Sequence, residues 1–154
     1  MPPARSAGLL LYRRLPRLEV LLGHLGGPYF ARKDDGAWSI PKGEYGPDEE
    51  PLVAARREFA EELGLEPPAG APYEPLGVIR QRNGKRVTAW AVEADIDVTR
   101  IVSNTFEIEW PPRSGRRQSF PELDRAGWFD LDEAKRKMTA GQDALLDRLV
   151  ELLG

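Results

Sequence analysis

Apolar residues recur along this chain with two different periods, and the switches between them mark out its elements. Leu52, Ala55, Phe59 and Leu63 repeat at helical spacing, about 100° per residue, which predicts an amphipathic helix. Asp48 is placed to cap it, Pro51 suits a first turn, and Gly64 suits a left-handed residue just past its end. The helix is therefore expected from about Glu49 to Leu63. Short apolar runs elsewhere read as strands: Ser6 to Arg13, Glu19 to His24, and Trp38 to Ile40, which ends at the turn Pro41-Lys42-Gly43. Leu76 to Gln81 and Lys85 to Ala94 flank Asn83-Gly84, the strongest short hairpin signal, and should pair antiparallel. A long segment over 103–122 precedes a last strand at Ala126 to Phe129. Asp130 or Asp132 then caps a helix reaching about Met138, and Leu145, Leu146, Leu149, Val150, Leu152 and Leu153 place a terminal helix over Gln142 to Leu153. Strands bracketed by helices imply a layered α/β domain.

Composition narrows the class. A chain of 154 residues with 41% hydrophobic content fits one domain over 1–154 with a real core. A net charge of −3 does not suit a nucleic-acid coat, so long duplex DNA or RNA is not an expected partner. No apolar run is long enough to span a bilayer, and the opening Met-Pro-Pro-Ala-Arg lacks a signal-peptide pattern, so no membrane partner is expected. With no cysteine there are no disulfides, and a cytoplasmic location is the expectation. The 14 Pro and 15 Gly are spread among turns, which leaves neither a linker nor a repeat.

The polar face of the first helix carries the chemistry. Glu58, Glu61 and Glu62 fall together beside its apolar stripe, and carboxylates at i, i+3 and i+4 repel unless a cation sits among them. Oxygen ligands suit Mg²⁺ or Mn²⁺, and a chain with no Cys and one His offers little for a softer ion. Ala54 projects into the same stripe, where its small side chain would leave room for metal and substrate. The plainer reading of such a helix is a solvated face, with Arg57 paired to Glu61 at i+4.

The spacing around that face decides between the two. Gly43, Glu49, Arg57, Glu58, Glu61, Glu62, Gly64 and the apolar Leu65 match the Nudix box without a gap. At roughly 7% usage per residue type, the seven identities at Gly and charged positions arise by chance with probability on the order of 10⁻⁸ per start point. The chain thus resembles the Nudix hydrolases, with Phe59 standing where the family usually has an aliphatic residue. The resemblance implies a Nudix-type α/β/α sandwich around a mixed sheet. It also implies a metal-dependent pyrophosphohydrolase that cleaves a nucleoside diphosphate linked to another group.

By that resemblance Glu58, Glu61 and Glu62, with the Gly43 carbonyl, would hold the metal. Glu61 or Glu62 is a candidate general base, and a Glu on a distant loop is the alternative. Glu122 is the first choice there, with Glu107 or Glu109 able to serve as well. Arg57 would orient the acidic cluster, with Glu49 tying the preceding loop to Arg57.

Substrate choice is read from the flanks. Trp38-Ser39-Ile40-Pro41-Lys42-Gly43 resembles the Pro-Lys-Gly approach of diadenosine polyphosphate hydrolases, and Lys42 adds a mobile cation for a substrate with several phosphates. Segment 103–120 combines Arg113, Arg116 and Arg117 with Phe106, Trp110 and Phe120, the cations and ring faces that suit a nucleotide. Trp38, Lys42, Arg113 and Arg116 are the expected substrate contacts. His24 and the stretch Tyr29 to Lys33 stand nearby in sequence, while Arg80, Arg82, Lys85 and Arg86 read as a solvated hairpin tip.

Dinucleoside polyphosphates therefore stand ahead of nucleoside triphosphates. The alternatives are a 5′-triphosphorylated RNA end, a nucleotide sugar, or a domain that only senses such a ligand. The terminal helix either covers the sheet or forms a dimer, so monomer and homodimer both stay open.

Overall fold

The computed structural model describes residues 5–154. Its strands are β1 (Arg5–Arg13), β2 (Glu19–Leu25), β3 (Trp38–Ser39), β4 (Lys42–Glu44), β5 (Glu74–Arg80), β6 (Arg86–Glu93), β7 (Thr105–Glu109), β8 (Arg117–Pro121) and β9 (Leu123–Asp130). The helices are α1 (Pro51–Leu63), α2 (Leu131–Lys137) and α3 (Ala144–Leu153).

β1 is the hub of a seven-stranded mixed sheet ordered β3-β2-β1-β6-β5, with β4 also on β1 and β9 also on β2. It runs parallel to β6 along eight paired positions and antiparallel to both β2 and β4. Leu9 and Leu11 face α1, where they meet Ala54, Ala55, Phe59 and Leu63; Leu10 and Tyr12 join the opposite cluster with Ala134, Leu145 and Leu149. Helices on both faces give an α/β/α sandwich around a mixed sheet, and they explain why β1 reads as an unbroken apolar run. Phe59 is fully buried in the α1 layer, and burying a side chain of that size stabilises by roughly 1.5–3 kcal/mol.

The start of α1 differs from the sequence expectation. Its N-cap is Glu50, not Asp48, and Pro51 occupies the first turn. The ring of Pro51 holds Glu50 in an extended conformation, φ −66° and ψ 137°, so helix cannot extend upstream. At the other end Gly64 is left-handed, φ 67°, and its N–H closes on Ala60 O, as expected of a C′ glycine.

Ala54, expected to leave room in the acidic stripe, is fully buried against the sheet. Two elements were not foreseen: Lys42–Glu44, expected as a turn, is a strand on β1, and 103–122, expected as a long loop, holds the hairpin β7–β8. The last strand is also longer than Ala126 to Phe129, because β9 pairs along nearly all of β2. The Asn83-Gly84 hairpin forms between β5 and β6, and Asp130 caps α2 by accepting from the Glu133 N–H. Among the described residues no helix is long and apolar enough to cross a membrane.

Candidate active site

β2 pairs with the Tyr12 end of β1 and β4 with its Ser6 end, so the two partners diverge. A cavity of about 340 Å³ opens there beside the polar face of α1. Its walls include Lys42, Gly43, Glu58, Glu61, Glu62 and Glu122, which derive from three separate parts of the chain.

α1 supplies three carboxylates to one wall. Glu62 is nearly buried and accepts from the Lys42 N–H at 2.9 Å. Burial is the main cause that raises its pKa to about 8, with Glu58 and Glu122 adding like charge and the Lys42 amide and ammonium opposing. The Glu58 pKa is also raised, by burial first and against the pull of Arg57. Gly43 lies close beside it: a Cβ there would come within 2.0 Å of the Glu58 carboxyl carbon and push that carboxyl aside.

Arg57 is the organiser of the other half. Its guanidinium donates through Nε to Glu49 at 2.9 Å and through Nη1 to Glu58 at 2.8 Å and Glu61 at 3.3 Å. These contacts hold its proton more firmly than usual, the hydrogen bond to Glu49 being the largest cause. The loop before α1 is thereby tied to the helix, and two pocket carboxylates are aimed by one planar fork.

Glu122 lies between β8 and β9, where its N–H donates to Asn104 O and its carbonyl accepts from Gly26 N–H, each at 2.9 Å. These bonds set its carboxyl into the cavity, where burial raises its pKa and Lys42 opposes. Glu107 and Glu109 lie along β7 instead, and Glu109 accepts from the Gly115 amide at the hairpin turn.

The donor set suits a hard divalent cation: carboxylates and a backbone carbonyl, with no thiolate in the chain. The only imidazole, His24, is buried and engaged, with Nδ1 on Asp124 at 2.9 Å and Nε2 on Lys33 O at 2.7 Å. Among the described residues no three acidic side chains converge on one point as they stand. Glu58 and Glu61 are drawn to Arg57 and Glu62 to the Lys42 amide, so ligation requires rotation of these side chains.

Three of the expected substrate contacts lie elsewhere. Trp38 is 5% exposed, donates to Asp34 and packs edge-on to His24 and Phe129, so its ring belongs to the core. Arg113 and Arg116 lie beyond the far end of β7–β8, which at 3.4 Å per residue puts the strand end roughly 14 Å from Thr105. The aromatics of that segment pair with neighbours: Phe106 with Phe120, and Trp110 with Tyr29 at 5.3 Å.

Two residues were missed. Lys85, beside Asn83-Gly84, reaches the cavity and bonds Glu44 at 3.3 Å. Its charge, after burial, is the second cause that lowers the pKa of Lys42. Ser6 also lines the cavity, and its hydroxyl is the one buried side-chain oxygen without a partner among the described residues. Nothing local marks Ser6, but the charge of Lys85 was visible and its direction was not.

Comparison with known proteins places this chain in a family. The family model for the NUDIX domain matches residues 2–149, and the chain belongs to that family. It is thus a hydrolase of pyrophosphate bonds, in a family whose enzymes generally use divalent metal ions and bind small nucleotides. Among solved structures, a C. elegans Ap4A hydrolase in a binary complex is 22% identical, with a TM-score of 0.67 over 96% of this chain and 97% of that one. The NUDIX domain of Shewanella oneidensis NrtR, complexed with ADP ribose, is 16% identical, with a TM-score of 0.66 over 100% and 90%. The E. coli ORF135 protein is 23% identical, with a TM-score of 0.58 over 100% and 93%. No curated protein matches the chain by sequence.

Proposed function

We propose that this protein is a Mg²⁺- or Mn²⁺-dependent pyrophosphohydrolase of nucleotides, with dinucleoside polyphosphates ahead of nucleoside triphosphates as substrate. One observation carries the reading: a single cavity is lined by the α1 carboxylates, Glu122, Lys42 and Lys85. The Pro41-Lys42-Gly43 approach and the likeness to an Ap4A hydrolase support the polyphosphate.

Glu58, Glu61 and Glu62, with the Gly43 carbonyl, would hold the ions. Once bound, such ions neutralise charge on phosphate oxygens and acidify a water. Lys42 and Lys85 bind phosphate oxygens from the same cavity, where low dielectric strengthens each contact. Arg57 orients Glu58 and Glu61 and keeps the Glu49 loop in register with them.

Glu122 receives the proton of the attacking water. Its carboxyl faces the α1 cluster from another element, and its raised pKa lies nearer neutrality than that of an ordinary carboxylate, as efficient base catalysis requires. Glu61 and Glu62 serve as ligands in this scheme.

Product analysis by ion-exchange chromatography tests the reading. The protein is incubated with Mg²⁺ and dinucleoside polyphosphates, nucleoside triphosphates, nucleotide sugars or 5′-triphosphorylated RNA. Asymmetric cleavage of a dinucleoside polyphosphate, lost in a folded Glu62→Gln variant, is the expected outcome. Preferential cleavage of another member reassigns the substrate, and full activity of Glu62→Gln at saturating Mg²⁺ removes Glu62 from the metal site.

A further inference from the structure

Gln142 is fully buried although it is polar, and it lies ahead of α3, on the side of the sheet away from α1. Its side-chain carbonyl accepts from the Ile40 N–H at 3.1 Å. Its NH₂ group donates to Ser39 Oγ at 2.9 Å and to Gln81 Oε1 at 2.8 Å. Both amide protons and one lone pair are thus used inside the protein, and buried networks satisfied to this degree are rigid.

The three partners of Gln142 lie on two segments, which lead to Lys42 and Lys85 in the cavity. Ser39 and Ile40 run directly into Pro41 and Lys42. Gln81 opens the hairpin turn, where its N–H donates to the Lys85 carbonyl at 2.9 Å and Asn83 Oδ1 accepts from the Lys85 N–H at 2.9 Å. The neighbouring backbone repeats the pattern, since Thr139 N–H donates to Trp38 O and Arg82 N–H donates to Ala140 O. The α2–α3 connection therefore stitches the Lys42 loop to the Lys85 hairpin, and the Gln142 side chain hydrogen-bonds to both segments.

We infer that Gln142 is a positioning residue: its amide sets the spacing between Lys42 and Lys85, across which the phosphates of the substrate are held. The inference rests on the phosphate-binding role given to these lysines under the proposed function. It predicts that losing the amide weakens polyphosphate binding more than ion binding, because Gly43 and the Lys42 N–H that bonds Glu62 stay held by the pairing of β4 with β1. None of the hydrogen bonds of Gln142 reaches α1.

The test uses Gln142→Met, similar in length and without the amide, and Gln81→Met, which cuts only the hairpin side. Binding of inorganic tripolyphosphate with Mg²⁺ is measured by calorimetry, and binding of Mn²⁺ alone by electron paramagnetic resonance. Loss of buried hydrogen bonds on the path to both lysines should weaken tripolyphosphate by about tenfold. Mn²⁺ affinity should stay within about twofold, a change of about 0.4 kcal/mol. Lys85→Met combined with Gln142→Met should be little worse than Lys85→Met alone, because the two act on one contact.

Leu149→Ala, a cavity substitution in the same core, controls for general loosening and should lower Tm without moving tripolyphosphate affinity. Unchanged tripolyphosphate affinity in folded Gln142→Met, or full additivity with Lys85→Met, overturns the inference. If Gln142→Met does not fold, Gln81→Met decides by the same two readouts. A wild type that binds tripolyphosphate yet hydrolyses no nucleotide overturns the proposed function instead, and leaves the role of Gln142 to be read from binding.

Discussion

Raising the pH should weaken the fold of the chelator-treated protein through Glu62, and Glu62→Gln should abolish that component. The folded carboxyl has a pKa of about 8 against an ordinary 4.5, because it is 9% exposed. A carboxyl whose pKa is raised by folding binds its proton more tightly folded than unfolded. Its contribution is therefore fully present below about pH 4.5 and is lost as pH rises through about 8. At about 1.4 kcal/mol per pH unit, the window from 4.5 to 8 amounts to roughly 5 kcal/mol at most. That is a large share of the roughly 5–15 kcal/mol that holds a domain together.

For a chain of this size it corresponds to a Tm difference on the order of 10–20 °C. Gln is the right replacement, since its carbonyl still accepts from the Lys42 N–H that bonds Glu62 at 2.9 Å. Asp34, Glu49 and Asp97 have lowered pKa values and act in the opposite sense, losing stability as pH falls. They are common to both proteins, so the comparison cancels them. Thermal unfolding in EDTA between pH 5 and 8.5 should show a steeper decline for wild type than for the variant. Mg²⁺ should restore wild type at the upper end. Parallel slopes would refute the assignment of a buried, proton-retaining Glu62.

Other perturbations probe the remaining walls. Lys42→Ala should raise KM by about tenfold for tetra- and pentaphosphates and by less for shorter substrates; equal effects across phosphate number would reduce Lys42 to a β-strand residue. Glu122→Gln should lower kcat by roughly 10²-fold or more with unchanged Mn²⁺ binding, and an active variant would move the base back to α1. Gly43→Ala forces a methyl against the Glu58 carboxyl, so Mn²⁺ affinity measured by titration should fall by roughly tenfold or more, while Tm shifts little because the clashing atoms end a flexible side chain.

How much was legible in the chain depended on how local its cause was. The α1 stripe, the Gly64 terminus, the Asn83-Gly84 hairpin and the Asp130 cap each follow from residues within one turn or one hairpin, and each formed. Pairing between distant strands has no such local signature: β1 beside β6 and β4 on β1 depend on register across the whole fold. β7 carries a period-two alternation in Thr105-Phe106-Glu107-Ile108-Glu109 that was passed over because it is short, whereas β8 escaped because its residues are exposed or half-buried with no alternation to read.

At the cavity, the box carboxylates and Glu122 could be picked out as candidates because chemistry restricts which residue types can serve, and they line one cavity. Trp38 misled because an aromatic ring suits a base as well as a core, and only its burial against His24 and Phe129 decides. Lys85 was passed over as a solvated tip because sequence shows charge without direction.

The branching of partners along β1 has a consequence for how substrate range can change in this scaffold. The mouth of the cavity is a gap between two hydrogen-bonded ladders, so its breadth is quantised by backbone pairing and cannot be tuned by trimming side chains. The cavity-lining residues fastened to those ladders are held as a set. The turn over 111–116 at the tip of β7–β8 stands apart from the ladders of the main sheet, and it can lengthen or shorten without disturbing the pairing beneath. An engineer seeking a new nucleotide should graft at that tip and leave the junction alone.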